Sequence, residues 1–220
     1  MSIETKSARL RAATAFAALI GWSALLLQLG LSLGMTLSDG RGIGAGLVAY
    51  LGYFTILTNL FAALTLTVPL LCGNTAMGRW FARSSVYTMV ATAMAVVGIV
   101  YTLLLRQTWN PQGWQRAADM ALHDVMPLLF LVCWWFAVPR GSLRWRQIPR
   151  WCLYPLTYFA YALARGALIG SYPYAFIDAG TLGYARVLVY ALGLLCGYAL
   201  IAAILVALKR NPTAAAARSA

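Results

Sequence analysis

A chain of 220 residues that is 62% hydrophobic and 10% charged, with a mean hydropathy of +0.74, excludes an ordinary soluble domain, where about a quarter of the residues are charged. The formal net charge of +12 raises nucleic acid as a partner, but the basic residues are spread as membrane topology signals rather than as one patch, and no nucleic acid is expected. The composition is that of an all-α polytopic membrane protein.

Runs of about 20 apolar residues, the length that crosses a bilayer as a helix, mark six spans: residues 12–35, 47–71, 85–105, 118–138, 151–170 and 184–208. The connections are short, so residues 1–220 are expected to form one integral-membrane domain, a six-helix bundle. Lys6, Arg9 and Arg11 precede the first span in the manner of a secretory leader. The apolar run after them is far longer than a leader's core of roughly 7–15 residues, so it is expected to remain as a span.

The first span contains one amide, Gln28, and reads as lipid-facing packing. The glycine-rich loop after it, SDGRGIGAG, follows no strand and so lacks the context of a phosphate-binding loop. In the second span Thr55, Thr58 and Asn59 lie at i, i+3 and i+4, on one helical face. Threonine and asparagine also serve as interhelical hydrogen-bond partners in membranes, so this face alone does not decide for chemistry. The third span is rich in small residues, as close helix packing requires. The fourth carries His123, the chain's single histidine, beside Asp124. Ionisable groups at membrane depth are costly and usually functional. The fifth carries Tyr154, Tyr158, Tyr161 and Arg165 at helical spacing, and the following loop holds Tyr172, Tyr174 and Asp178, with Arg186 opening the sixth span.

Lys6, Arg9, Arg11, Arg79, Arg83, Arg140, Arg144, Arg146, Arg150, Lys209, Arg210 and Arg218 fall on one side of the six spans, and Arg41, Arg106 and Arg116 on the other. The positive-inside rule then puts both termini in the cytoplasm, in a bacterial inner membrane. Cys72, Cys133 and Cys152 come at cytoplasmic ends and Cys196 in mid-span, so no disulfide is expected. Thr55, Thr58, Asn59, His123, Asp124, Arg165, Asp178 and Arg186 then share the outer half of the bilayer while coming from different elements. Such convergence is what a site requires.

A single histidine with dispersed carboxylates does not make a metal centre, and no metal or cofactor is expected. Nucleophilic catalysis fits better. A threonine hydroxyl needs an adjacent general base, and histidine suits that task near neutral pH. Asp124 or Asp178 is available to orient the imidazole, and Arg165, Asn59 or a tyrosine hydroxyl to stabilise an oxyanion. An opening to the outer leaflet would admit acyl chains from membrane lipids. The reading from another class is a non-enzymatic small transporter or lipid-binding scaffold using the same polar cavity.

YFTILTNLF, LHDVMP and YPLTYFAYALARG followed by SYPYAFID resemble bacterial six-pass relatives of the androgen-induced-gene and androgen-dependent tissue-factor-pathway-inhibitor-regulating proteins. Those are integral-membrane threonine hydrolases that cleave fatty acid esters of hydroxy fatty acids with one threonine and one histidine. The resemblance covers the second to fifth spans and the loop to the sixth. It implies a lipid-like acyl ester as substrate and His123 as the family histidine. Matching the aromatic lead-in favours Thr55 as the nucleophile; matching the Leu-Thr pair favours Thr58. Thr55 is preferred and Thr58 stays open. The family's tyrosine-proline segment corresponds to Tyr172, Pro173 and Tyr174. Asn59, Asp124, Tyr158, Tyr161, Arg165, Tyr174 and Asp178 are the expected supporting residues.

Overall fold

The computed structural model describes residues 3–210; Arg218 lies outside them. The described chain is helical throughout, without a strand. It begins with α1 (Ile3–Ser38) and the short α2 (Gly42–Tyr50), followed by α3 (Phe54–Cys72) and α4 (Ala76–Phe81). Next come α5 (Ser84–Val100), which ends in a π-helical turn at Tyr101–Leu105, and α6 (Gly113–Met120), which passes through a second π turn at Ala121–Val125 into α7 (Met126–Ala137). A 3-10 turn leads into α8 (Ile148–Ile169), another (Ala175–Ile177) precedes α9 (Ala179–Leu182), and α10 (Tyr184–Leu208) closes the bundle.

Five of the described helical segments are long and apolar enough to cross a bilayer: Ala8–Ser38, Phe54–Cys72, Ser84–Leu105, Gly113–Ala137 and Tyr184–Leu208. α8, at 22 residues, has the length, about 33 Å at 1.5 Å per residue. It is less apolar because it carries Arg150, the tyrosine stripe and Arg165.

α5 is the central helix. Val90, Ala91, Ala93 and Met94 are fully or almost fully buried against Ala17 of α1, Leu66 of α3, Phe130 and Trp134 of α7, and Ala202 of α10. Small side chains at that seam let the backbones approach, and polar bonds pin the register. Trp134 Nε1–H donates to Thr88 Oγ1 at 2.9 Å and Tyr198 O–H to the Met89 carbonyl at 3.1 Å.

Two local departures from the regular helix shape one end of the bundle. The expected span 47–71 is not one helix: the chain breaks at residues 51–53, and Tyr53 is extended (φ −90°, ψ 133°), so α3 starts at Phe54. In α7, Pro127 has no N–H to offer the carbonyl of His123, and its ring would crowd that carbonyl in a regular turn. The helix widens there, with Met126 N–H reaching back to the Ala121 carbonyl. Gly98 of α5 packs on the same spot, since a Cβ there would lie 3.4 Å from the His123 carbonyl oxygen and 3.5 Å from Pro127. π turns inside α-helices concentrate at functional sites, and here both lie at the same end.

Candidate active site

The break before α3 leaves the first-turn N–H groups of that helix without intrahelical partners, and Thr55 sits among them, 7% exposed. Its Oγ1 lies 3.2 Å from His123 Nε2. On the other side of the imidazole, Nδ1 is 3.0 Å from the Asp119 carbonyl oxygen and 3.2 Å from Asp119 Oδ1. Both groups only accept, so Nδ1 carries the proton and Nε2 is left as acceptor for the threonine hydroxyl. The π turn at Ala121–Val125 separates the two helices but keeps Asp119 and His123 on one face, four residues apart.

Asp119 is itself buried, at 7% exposed, and a buried carboxylate needs partners. Tyr101 supplies one by donating its hydroxyl to Asp119 Oδ2. The Tyr101 ring also stacks on the imidazole, with centroids 4.0 Å apart and planes at 19°. His123 is therefore fixed by a ring on its face and a carboxylate at its edge.

Tyr174 completes the surroundings of Thr55. Its hydroxyl oxygen lies 3.4 Å from the Thr55 N–H and 3.5 Å from Thr55 Oγ1. Burial holds this phenol above its ordinary pKa, so at neutral pH it keeps its proton. Tyr174 is held in place by Phe176, stacked at 5.1 Å, and by Tyr53, edge-on at 5.6 Å.

Thr55, Tyr101 and Tyr174 all lie in the wall of a cavity of about 450 Å³. Apart from Tyr158 and Tyr198 the rest of the wall is apolar, drawn from α5 (Val96, Val100), α8 (Phe159, Leu163) and α10 (Leu188, Leu192) among others. A few polar groups in the wall of a mostly apolar cavity is the usual form of a small-molecule site.

The other expected residues take different places. Thr58 is hydrogen-bonded to Tyr154, Oγ1 to hydroxyl oxygen 3.0 Å, and not to His123. Asn59 donates from Nδ2 to the carbonyls of Thr55 (2.9 Å) and Leu122 (3.2 Å), tying α3 to the histidine's turn. Asp124 turns outward and accepts from Arg106, so it does not orient the imidazole. Asp178 caps α9, accepting from the Thr181 N–H and hydroxyl at 3.1 and 2.8 Å. The hydroxyl and N–H of Thr181 hold its carboxyl below the usual carboxylate range. Tyr158 and Tyr161 donate to the carbonyls of Gly52 (3.0 Å) and Leu51 (3.3 Å), so the stripe on α8 fastens the break that frees the start of α3. Arg165 donates to the Ser171 carbonyl at 3.0 Å and braces the loop that carries Tyr174.

Asp119 and Tyr101 were not among the expected site residues. The signal for Asp119 was its place four residues before His123, one helical turn away on the same face, where Asp124 at i+1 points elsewhere. Among the described residues no three His, Cys, Asp or Glu side chains come together to hold a metal. Comparison with protein-family models, with curated proteins and with solved structures finds no match.

Proposed function

We propose that this chain is an intramembrane hydrolase of fatty-acyl esters, with Thr55 as nucleophile and His123 as general base. The observation that carries the reading is the Thr55–His123–Asp119 relay, whose Thr55 lies in the wall of an apolar cavity. The likeness of YFTILTNLF, LHDVMP and SYPYAFID to the membrane threonine hydrolases supports it independently.

In this mechanism Thr55 gives its proton to His123 Nε2 as Oγ1 bonds to the ester carbonyl carbon. Asp119 stabilises the imidazolium and holds its orientation. The developing oxyanion accepts from the Tyr174 hydroxyl, and from the Thr55 N–H as it exchanges that hydroxyl oxygen for the substrate's. Collapse breaks the bond to the alcohol oxygen, which takes the proton from His123. A water, deprotonated by the same nitrogen, then releases the fatty acid and regenerates Thr55. The acyl chain occupies the apolar cavity among α5, α8 and α10.

The topology that goes with this reading is six spans, counting α8, with both termini in the cytoplasm of a bacterial inner membrane and the site in the outer half. The hydropathy of five segments and the twelve-to-three basic asymmetry of the sequence support it.

The test is hydrolysis of fluorogenic long-chain acyl esters by protein in detergent. His123→Ala and Thr55→Ala each lose roughly 10²–10⁴-fold in rate, the range of acid–base catalysis, while Thr58→Ala retains most of it. Thr58→Ala losing activity with Thr55→Ala intact would move the nucleophile. Binding of acyl esters without turnover in wild type would make the cavity that of a lipid-binding scaffold.

A further inference from the structure

The cavity beside Thr55 extends furthest along the helices. Its wall follows α5 from Tyr101, stacked on His123, back to Val96, α8 from Leu163 back to Pro155, and α10 from Leu188 on to Tyr198. The stretch on α10 alone covers about 15 Å at 1.5 Å per residue. The loop of Tyr174 leads from the end of α8 towards the start of α10. Leu163, Leu188 and Tyr101 therefore mark the end near Thr55, and Val96, Pro155 and Tyr198 the far end.

The two ends differ in chemistry. Thr55 and Tyr174 stand at the near one. Further in, the polar atoms of the wall already have partners. Tyr158 donates its hydroxyl to the Gly52 carbonyl at 3.0 Å, and Tyr198 donates to the Met89 carbonyl at 3.1 Å. Rings and aliphatic groups are left to face an occupant. Tyr198 is also part of the packed core round α5, with Val90, Met94 and Ala202, all fully or almost fully buried, and Val96 packs against the same core. The bond to Met89 fastens α10 to α5 at this level, so the cavity ends where the close-packed interior begins. Along its side the rim is apolar and open. Leu156, Leu188 and Leu192 are 45%, 59% and 61% exposed, and a chain in the surrounding lipid enters over them.

We propose that the far end of this cavity is a stop that sets the length of acyl chain recognised, with Val96, Leu195 and Tyr198 as specificity-determining residues. The position of the ester carbonyl at Thr55 rests on the hydrolase reading; the stop itself does not. Lipid tails are as apolar as the wall, so leaving the lipid gains little by itself. A methylene gains by making the closer contacts of a packed interior. Each added methylene improves recognition until the chain reaches the stop. A longer chain bends out over the rim into lipid, where further methylenes add nothing.

The test follows chain length in detergent by two readouts. One is hydrolysis of saturated p-nitrophenyl esters from hexanoyl to stearoyl; the other is displacement of a fluorescent fatty acid by the matching free fatty acids. In wild type both kcat/KM and affinity rise with chain length and level off at a limit. Val96→Phe adds four side-chain carbons at the far end and is expected to shorten that limit by about four methylenes at interior packing density. Leu195→Ala removes three and is expected to lengthen it by about three. Opposite shifts do not come from a general loss of stability, and partition into the micelle is common to all three proteins. Shifted limits in displacement without any hydrolysis would support the stop and refute the hydrolase reading. Hydrolysis or displacement whose limit is the same in wild type and in every variant that folds would overturn the stop and leave the hydrolase reading standing. Neither hydrolysis nor displacement at any chain length would overturn both.

Discussion

At His123 the two ring nitrogens have different tasks, and the neighbours divide them. Asp119 accepts the hydrogen bond from Nδ1–H and Thr55 faces Nε2 at 3.2 Å. Asp119→Asn offers Nδ1 an amide in place of a carboxylate and withdraws the charge that stabilises the imidazolium. It is expected to lower kcat by roughly 10²–10⁴-fold with little change in KM. Asp124→Asn removes only a partly exposed pair with Arg106, worth about 0–1 kcal/mol, and leaves kcat within a few-fold of wild type. Steady-state kinetics on the two variants checks both, and equal losses would contradict the assignment. The sequence made His123 conspicuous as the chain's single histidine, but adjacency drew attention to Asp124. Helical periodicity, four residues back, is the physically relevant neighbour. Tyr101 was not legible at all, because nothing in sequence relates a residue near the end of α5 to a turn twenty residues on.

The break between α2 and α3 shows what hydropathy misses. LGYF is as apolar as its surroundings, so the run 47–71 reads as one span, yet the backbone leaves the helix at Gly52 and Tyr53. The hydroxyls of Tyr158 and Tyr161 satisfy the carbonyls released there, as buried backbone groups require. The stripe on α8 was legible as a polar face; its role as a clamp on another helix needed the fold. The same helix carries the loop of Tyr174 through a close approach at Gly166. A Cβ at that position would lie 2.1 Å from a ring carbon of Tyr172, a clash that the ring cannot relieve without moving the loop. Gly166→Ala is therefore expected to cost about 1–3 kcal/mol by overpacking and to reduce kcat through the displaced Tyr174. Tm and kcat are the readouts. A variant with unchanged values in both would contradict the tight seat of Tyr172 against Gly166.

Across the whole molecule, length and hydropathy were enough to recognise an all-α membrane bundle, since five segments satisfy both criteria in the structure. α8 falls short because its polar stripe, which serves the break before α3, dilutes its hydropathy. Charge asymmetry is the remaining guide to orientation. Reporter fusions at residue 210 are expected to be active as a cytoplasmic fluorescent protein and inactive as a periplasmic phosphatase, and fusions in the loop after α5 the reverse. The opposite pattern would invert the topology. The cavity beside Thr55 is assembled from α5, α8 and α10, distant in sequence, and only packing brings them together.

The most direct test of the central claim is mass spectrometry of the protein after reaction with a long-chain fluorophosphonate. A single covalent adduct is expected on the peptide containing Thr55, absent in Thr55→Ala and strongly reduced in His123→Ala and Asp119→Asn. Labelling on Thr58 or elsewhere, or labelling of Thr55 that does not depend on His123, would contradict it.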